Sequence, residues 1–341
     1  MSRTVVYSLF CVVTIFSCVD PIRLNTGNGA GTLVVDGVIT NESGPYTIKL
    51  SRSVNFDNSR PVRVFALPEK GATIVISDDT GFSEKLKETD AGVYKTTAIT
   101  GVIGRTYSIT IKTSDGKTFH SSGETMLPVV NVDTVTSQFA VYDRLTINKN
   151  NQPVTSKVEG FYISAVTTDP PGLGNYYRWQ ADGIFEFFSI NDYPNLRICW
   201  VPVARLESTV VVGDDASLDG KTFSQRVCVV PYDRPTRYMV KLKQASLTEA
   251  AYQYWKASES QQVSTGSIFD PPPATLVGNI KNDNDEPVLG YFGASAIAPY
   301  NFLFDRFKAS GLTTPDPNPP LQVGDCITML PGATQNKPSG F

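Results

Sequence analysis

Histidine is almost absent from these 341 residues, His120 being the only one. A Ser-His-Asp triad needs a histidine placed by two partners, and a multi-histidine zinc centre needs several, so the second is excluded and the first rests on one residue. His120 lies in KTFHSSG, just past a turn signal. There it reads as a solvated strand-edge side chain.

Long apolar runs are also missing. The one extended stretch, Val5 to Phe16, would reach roughly 18 Å as a helix, short of the ~30 Å hydrocarbon core. With Arg3 ahead of it and the small Ser17 behind it, the run reads as a secretory signal over residues 1–17. No basic cluster exceeds a pair, which removes the electrostatic footprint for nucleic acid and for anionic lipid. No phosphate loop or dinucleotide fingerprint is present, so no cofactor is expected. Removing Arg3 with the leader leaves 29 basic against 33 acidic side chains, a net charge of −4.

Cysteines number five. Cys11 leaves with the leader. The segment Ile15-Phe16-Ser17-Cys18 resembles a bacterial lipobox, in which the leader is cut before a cysteine that carries acyl chains, and Cys18 is the expected lipidation site. Cys199, Cys228 and Cys326 remain, enough for one disulfide in an oxidising compartment. Cys199–Cys228 is the preferred pair because both fall in strand-like text, with Cys199–Cys326 as the other candidate.

The polar, glycine-rich residues 18–31 read as a lipidated tether. From Thr32 the pattern has period two: Tyr46, Ile48 and Leu50 share one face, as do Ala72, Ile74 and Ile76, and Tyr107, Ile109 and Ile111. Such alternation predicts half-buried antiparallel strands. Asp115-Gly116 predicts a type I′ hairpin turn, which needs positive φ at both central positions. Residues 32–128 are therefore expected to form a β-sandwich of immunoglobulin-like or transthyretin-like kind. Residues 129–341 are expected to form a second β-rich domain with one amphipathic helix near 247–262. Ser246 and Glu249 there fit a capping box, and Leu247, Ala250, Ala251, Tyr254 and Trp255 form an apolar stripe. The proline-rich segments 270–273 and 313–320 read as surface loops.

Glycoside cleavage needs two carboxyl groups and no histidine. Asp182 and Glu186, even-spaced in QADGIFEFF, are the candidates for such a pair. Asp78-Asp79, Asp214-Asp215 and Asn282–Glu286 are oxygen-rich but lack the spacing of an EF-hand, and they read as turns. Asp133-Thr134-Val135 resembles a short O-glycosylation acceptor pattern. Tyr176, Tyr177 and Trp179 are candidate ligand-binding residues, since flat aromatic faces stack on sugars and peptides.

The lines DGVITNESGPYTIKLSRSVNFD (36–57), GATIVISDDTGFSEKLKETDAGVYKTT (71–97), GRTYSITIKTSDGKTF (104–119), LTEAAYQYWKASESQQVSTGSIFDPPPATLVGNI (247–280) and VLGYFGASA (288–296) are similar to a Bacteroidota lipoprotein family known as domain of unknown function 4249. The tail departs from that family, reading PGATQNKPSGF where a GGT-like segment and a terminal aromatic pair are usual. The resemblance implies a lipid-anchored outer-membrane protein exposed at the cell surface, an accessory or ligand-binding partner of a TonB-dependent transporter, with no established reaction and no catalytic residues. A surface glycan hydrolase using Asp182 and Glu186 and a structural or adhesion module are the alternatives.

Overall fold

The structure, a computed structural model, describes residues 31–54, 66–149, 153–172, 174–192, 195–206, 209–263, 276–284, 286, 288–314 and 322–341. The expected leader, Cys18 and the expected tether up to residue 30 lie outside them, as do residues 270–273 and 315–320 of the proline-rich segments.

The chain is mainly β. The strands are β1 (Leu33–Thr40), β2 (Thr47–Ser53), β3 (Ala66–Pro68), β4 (Thr73–Asp78), β5 (Ser83–Lys85), β6 (Lys87–Asp90), β7 (Val93–Lys95), β8 (Thr106–Lys112), β9 (Thr118–Ser121) and β10 (Glu124–Thr125) in the first part. There follow β11 (Thr134–Ile147), β12 (Pro153–Thr168), β13 (Tyr176–Asp192), β14 (Asn195–Val203), β15 (Val211–Asp214), β16 (Thr222–Pro231) and β17 (Arg237–Leu247). The helix α1 (Glu249–Val263) precedes β18 (Ile280–Asn282), β19 (Val288–Ser295) and β20 (Ile297–Asp305), then α2 (Arg306–Ser310), β21 (Gln322–Val323) and α3 (Cys326–Met329).

Two layers face each other in the first sandwich. One has the order β19-β1-β2-β7-β6 with β3 on β2, the other β18-β9-β8-β4-β5 with β10 on β8. The alternation in the sequence supplies the inner faces: Ile48, Leu50, Ile74, Ile76, Tyr107, Ile109 and Ile111 are all buried. Each such aliphatic side chain contributes roughly 1.5–3 kcal/mol by leaving water. At the hairpin between β8 and β9, Thr113 N–H bonds to Lys117 O at 2.9 Å and Gly116 N–H to Thr113 O at 2.9 Å. Gly116 alone takes positive φ, at 87°, so the loop has three residues and is not the expected type I′ turn.

The first sandwich also takes strands from beyond residue 128. The chain returns after α1 to finish the first sandwich: β19 pairs parallel to β1, from Leu33↔Val288 to Thr40↔Ser295, and β18 pairs with β9. Sequence alternation cannot reveal a partner some 250 residues away. Gly290 opposes Val35, and a Cβ there would run into the Val35 carbonyl, so the close pairing depends on glycine.

The second sandwich packs β11-β12-β16 against β14-β13-β17-β20, with β15 and β21 also on β13. Its core joins Phe161, Ile163 and Ala165 to Tyr177, Trp179, Val240 and Leu242. Arg306, 1% exposed, closes one end. Its guanidinium donates to Thr236 O at 3.0 Å, Thr236 Oγ1 at 2.7 Å, Pro231 O at 3.1 Å and Asp233 Oδ1 at 2.7 Å.

The last twenty residues strap the edge strand β14. The disulfide is Cys199–Cys326, with Cα atoms 6.2 Å apart, and not the preferred Cys199–Cys228. Cys199 packs with Phe187, Val201 and Cys326, whereas Cys228 is a buried thiol of β16 in the core between the layers. The strap then bridges Thr334 to Trp200 and ends with Phe341 against Trp200, ring centroids 6.2 Å apart, beside Met239 and Ile184.

Candidate functional site: the aromatic joint around the long helix

Strand β13 sends alternate side chains to opposite sides. Tyr177 and Trp179 turn inward and are 3% and 1% exposed. The Trp179 indole N–H donates to Gln244 Oε1 at 2.7 Å, Thr167 Oγ1 donates to the same oxygen at 3.0 Å, and Gln244 Nε2 donates to Val130 O at 3.0 Å. Tyr177 donates to the buried Asp169 at 2.6 Å, and burial with that hydrogen bond pushes its pKa up. Both candidate stacking residues are core residues with satisfied polar atoms, so neither offers a face to a ligand.

Tyr176 and Arg178, on the other side, meet α1. Tyr176 is half-buried and stacks on Tyr252 at 4.8 Å, while the Arg178 guanidinium lies 3.7 Å over the Trp255 ring. Tyr254 packs edge-on to Trp255 at 5.1 Å and against Tyr291 of β19 at 4.9 Å. Tyr252 donates to Asp214 at 2.5 Å, and burial together with this bond raises the tyrosine's pKa. Tyr176, Tyr254 and Trp255 thus form one partly exposed aromatic shelf.

The helix does not start with the expected capping box. Ser246 belongs to β17, where its hydroxyl donates to Leu127 O at 2.6 Å and accepts from Ala296 N–H at 3.1 Å. Thr248 is the cap instead, its Oγ1 accepting from Ala251 N–H at 3.2 Å. Ala251 and Tyr252 are the buried positions of the helix, while Ala250, expected in the stripe, is exposed.

Behind the shelf sits a buried carboxyl. Glu124 of β10, 2% exposed, accepts from Tyr291 OH at 2.6 Å, Thr248 Oγ1 at 2.8 Å and Asn279 Nδ2 at 3.3 Å. One side chain so joins the first sandwich, the helix cap and the returning segment. Its donors are all neutral, and burial holds its pKa above the ordinary carboxylate range despite them. A raised folded pKa means that stability from this group is full below about pH 4, where the unfolded carboxylate protonates, and is lost as pH rises through the folded value. In Glu124→Gln the amide stays neutral and can donate to Thr248 Oγ1. Between pH 4.5 and 8 the melting temperature of the variant is expected to gain steadily on that of the native chain. Parallel melting curves across that range would contradict the assignment.

Asp182 and Glu186 have separate partners. Four residues along one strand separate their Cα atoms by about 13 Å, so the side chains would have to lean toward each other to reach the ~5–9.5 Å that glycosidases use between carboxyl groups. Glu186, 4% exposed, is held in a two-pronged ion pair by Arg237, whose Nε lies 3.0 Å away, and the pair raises the arginine's pKa. Asp182 accepts from Arg205 N–H at 2.9 Å.

A family model described as "Domain of unknown function (DUF4249)" matches residues 19–300, a span that runs from ahead of β1 into β20 and includes α1 and the joint. The chain belongs to the DUF4249 family. No curated protein matches it, and no solved structure matches it. The oxygen-rich clusters of this DUF4249 protein hold their own turns or pin neighbouring loops. Asp78 accepts from Thr80 and Phe82 N–H and pairs with Arg105 at 2.8 Å. Asp215 accepts from Gly174 and Asn175 N–H, both at 3.1 Å. Asn282 Oδ1 accepts from Asn284 and Glu286 N–H, while Glu286 pairs with Lys117 at 2.8 Å. Among the described residues no three histidine, cysteine or acidic side chains gather as metal ligands. His120 is exposed on β9 with Thr110 Oγ1 3.1 Å from its Nδ1. Thr134 is exposed at the start of β11.

Sequence reasoning missed Glu124, Tyr291, Thr248 and Asn279 as a set. The available signal was weak: a lone glutamate in SSGETM after a predicted strand, with its partners more than 120 residues away.

Proposed function

We propose that this DUF4249 protein is a lipid-anchored accessory or binding protein of an outer-membrane, TonB-dependent transporter, held through Cys18 at the cell surface, and that it works without catalysing a reaction. The observation that carries the binding role is the aromatic shelf of Tyr176, Tyr254 and Trp255, stiffened from behind by Tyr252–Asp214 and Tyr291–Glu124. Rigid aromatic side chains lose little entropy on binding and bury large areas, which suits a protein or glycan contact. The anchor rests on the lipobox-like sequence and the family resemblance. The ion-paired state of Glu186 and its distance from Asp182 weigh against the hydrolase alternative.

Affinity capture from detergent-solubilised outer membranes tests the reading. The native chain is expected to recover a transporter, and Trp255→Ala with Tyr176→Ala to recover at least fivefold less. Capture of no transporter, or equal recovery by the variant, would sink it. In the same cells Cys18→Ser is expected to abolish acyl labelling and release the protein from membranes.

A further inference from the structure

The strap across β14 is held unevenly along its length. Its root is fixed: Cys326 is bridged to Cys199, and Thr334 exchanges two backbone bonds with Trp200, at 2.8 and 3.1 Å. Past Thr334 the hold is almost gone. Residues 335–340 are exposed or half-buried, and among the described residues none of them forms a hydrogen bond or ion pair with the sheet. The bonds in this stretch are internal turns, Asn336 N–H to Thr334 Oγ1 at 3.0 Å and Phe341 N–H to Pro338 O at 3.3 Å. One side chain therefore keeps the segment down.

That side chain is Phe341, buried in a socket of Ile184, Trp200 and Met239 with Leu303 beside them. The Arg237 guanidinium lies 5.4 Å from the phenyl ring, and the ring meets the Trp200 indole edge-on. The fit is incomplete. The Trp200 indole nitrogen is buried and has no acceptor for its proton, although Trp200 as a whole is only 8% exposed. Buried indole N–H groups usually find a partner, and one left unmet is costly. A segment that filled the socket with a ring and also brought a carbonyl to this N–H would bind better than the resident strap.

We infer that the socket is a binding site for an aromatic side chain carried on a turn segment of a partner protein, with Phe341 as its built-in competitor. The resident occupant defines the chemistry: one flat ring between apolar walls, a cation at the rim and a spare donor. Ordering residues 335–341 for a single buried ring costs conformational entropy, so the closed strap is a low-stability element that opens without unfolding the sheets. Its attachment gives it a high effective concentration, which an incoming segment must outcompete. The Cys199–Cys326 bridge keeps the strap at hand while the socket is open. Neither the aromatic shelf nor the lipid anchor is needed for this site.

The test uses the full chain with Phe341→Ala, which empties the socket, and a fluorescein-labelled peptide of residues 334–341 with an amidated carboxyl end. Expected is saturable binding, roughly tenfold or more tighter than to the native chain, whose own Phe341 competes. Replacing the phenylalanine of the peptide by alanine, or adding Leu303→Arg beside the socket, should weaken binding roughly tenfold or more. Equal binding by the native chain and Phe341→Ala, or binding that ignores the peptide's ring, overturns the inference. Should Phe341→Ala fail to fold, the native chain carries the test through a fluorophore at the exposed position 339, introduced by Ser339→Cys, since Cys228 is buried. Excess unlabelled peptide is expected to free that label and lower its anisotropy, and an unchanged anisotropy overturns the socket. A native chain that dimerises with rising concentration, and that the peptide returns to monomers, overturns the partner in favour of strap exchange between two copies.

Discussion

Cys326→Ser is expected to lower stability by about 2–5 kcal/mol, the usual range for loss of a native disulfide that closes a long loop. The bridge to Cys199 spans 127 residues, so much of the second sandwich lies inside the loop. At about 2–4 °C per kcal/mol the melting temperature should fall by roughly 5–15 °C. The same substitution frees the strap between α3 and Phe341, and proteolysis should then begin in residues 327–341 before the sheets are cut. Cys228→Ser, which trades one small buried group for another, should cost far less. Non-reducing peptide mapping supplies the decisive readout: one cross-linked peptide containing Cys199 and Cys326, and Cys228 on a peptide by itself. A large loss from Cys228→Ser with none from Cys326→Ser would restore the Cys199–Cys228 pairing.

Trp179→Ala is expected to cost about 3–5 kcal/mol, the range for emptying a buried aromatic site. Part of that loss comes from Gln244, whose Oε1 loses its shortest donor in a position with 0% exposure. Tyr176→Ala, which truncates a half-buried ring on the shelf, should cost about 1 kcal/mol or less and act mainly on binding. Denaturant titration of both variants, followed by the capture assay, separates the roles. If Trp179→Ala left stability unchanged but abolished capture, the inward reading of β13 would be wrong and Trp179 would return as a ligand contact.

These two outcomes mark where the sequence is informative. Period-two alternation identified the buried faces of β2, β4 and β8 because each strand has one wet and one dry side, and burial alone decides such patterns. In β13 the same alternation put Tyr177 and Trp179 on one face, but it could not say which face was wet. Three aromatics in four residues are equally suited to a core and to a ligand shelf. The helix was visible, with its start displaced: Ser246 and Glu249 fit a capping box, yet tertiary partners at Leu127 and Ala296 claimed the Ser246 hydroxyl and left the cap to Thr248. The disulfide and the Glu124 cluster were illegible for a common reason, namely that both join residues more than 120 positions apart.

The parallel pairing of β19 with β1 bears on how the protein reaches its folded state. Synthesis delivers the chain from its amino end, so Leu33–Thr40 emerges first and must wait for Val288–Ser295 before its outer edge is covered. During that interval one margin of the first sheet offers free backbone donors and acceptors to any passing strand. Contacts this distant in the chain also form slowly. The early intermediate therefore invites escort by a chaperone, and a chain interrupted at Pro128 should aggregate rather than persist as an independent module.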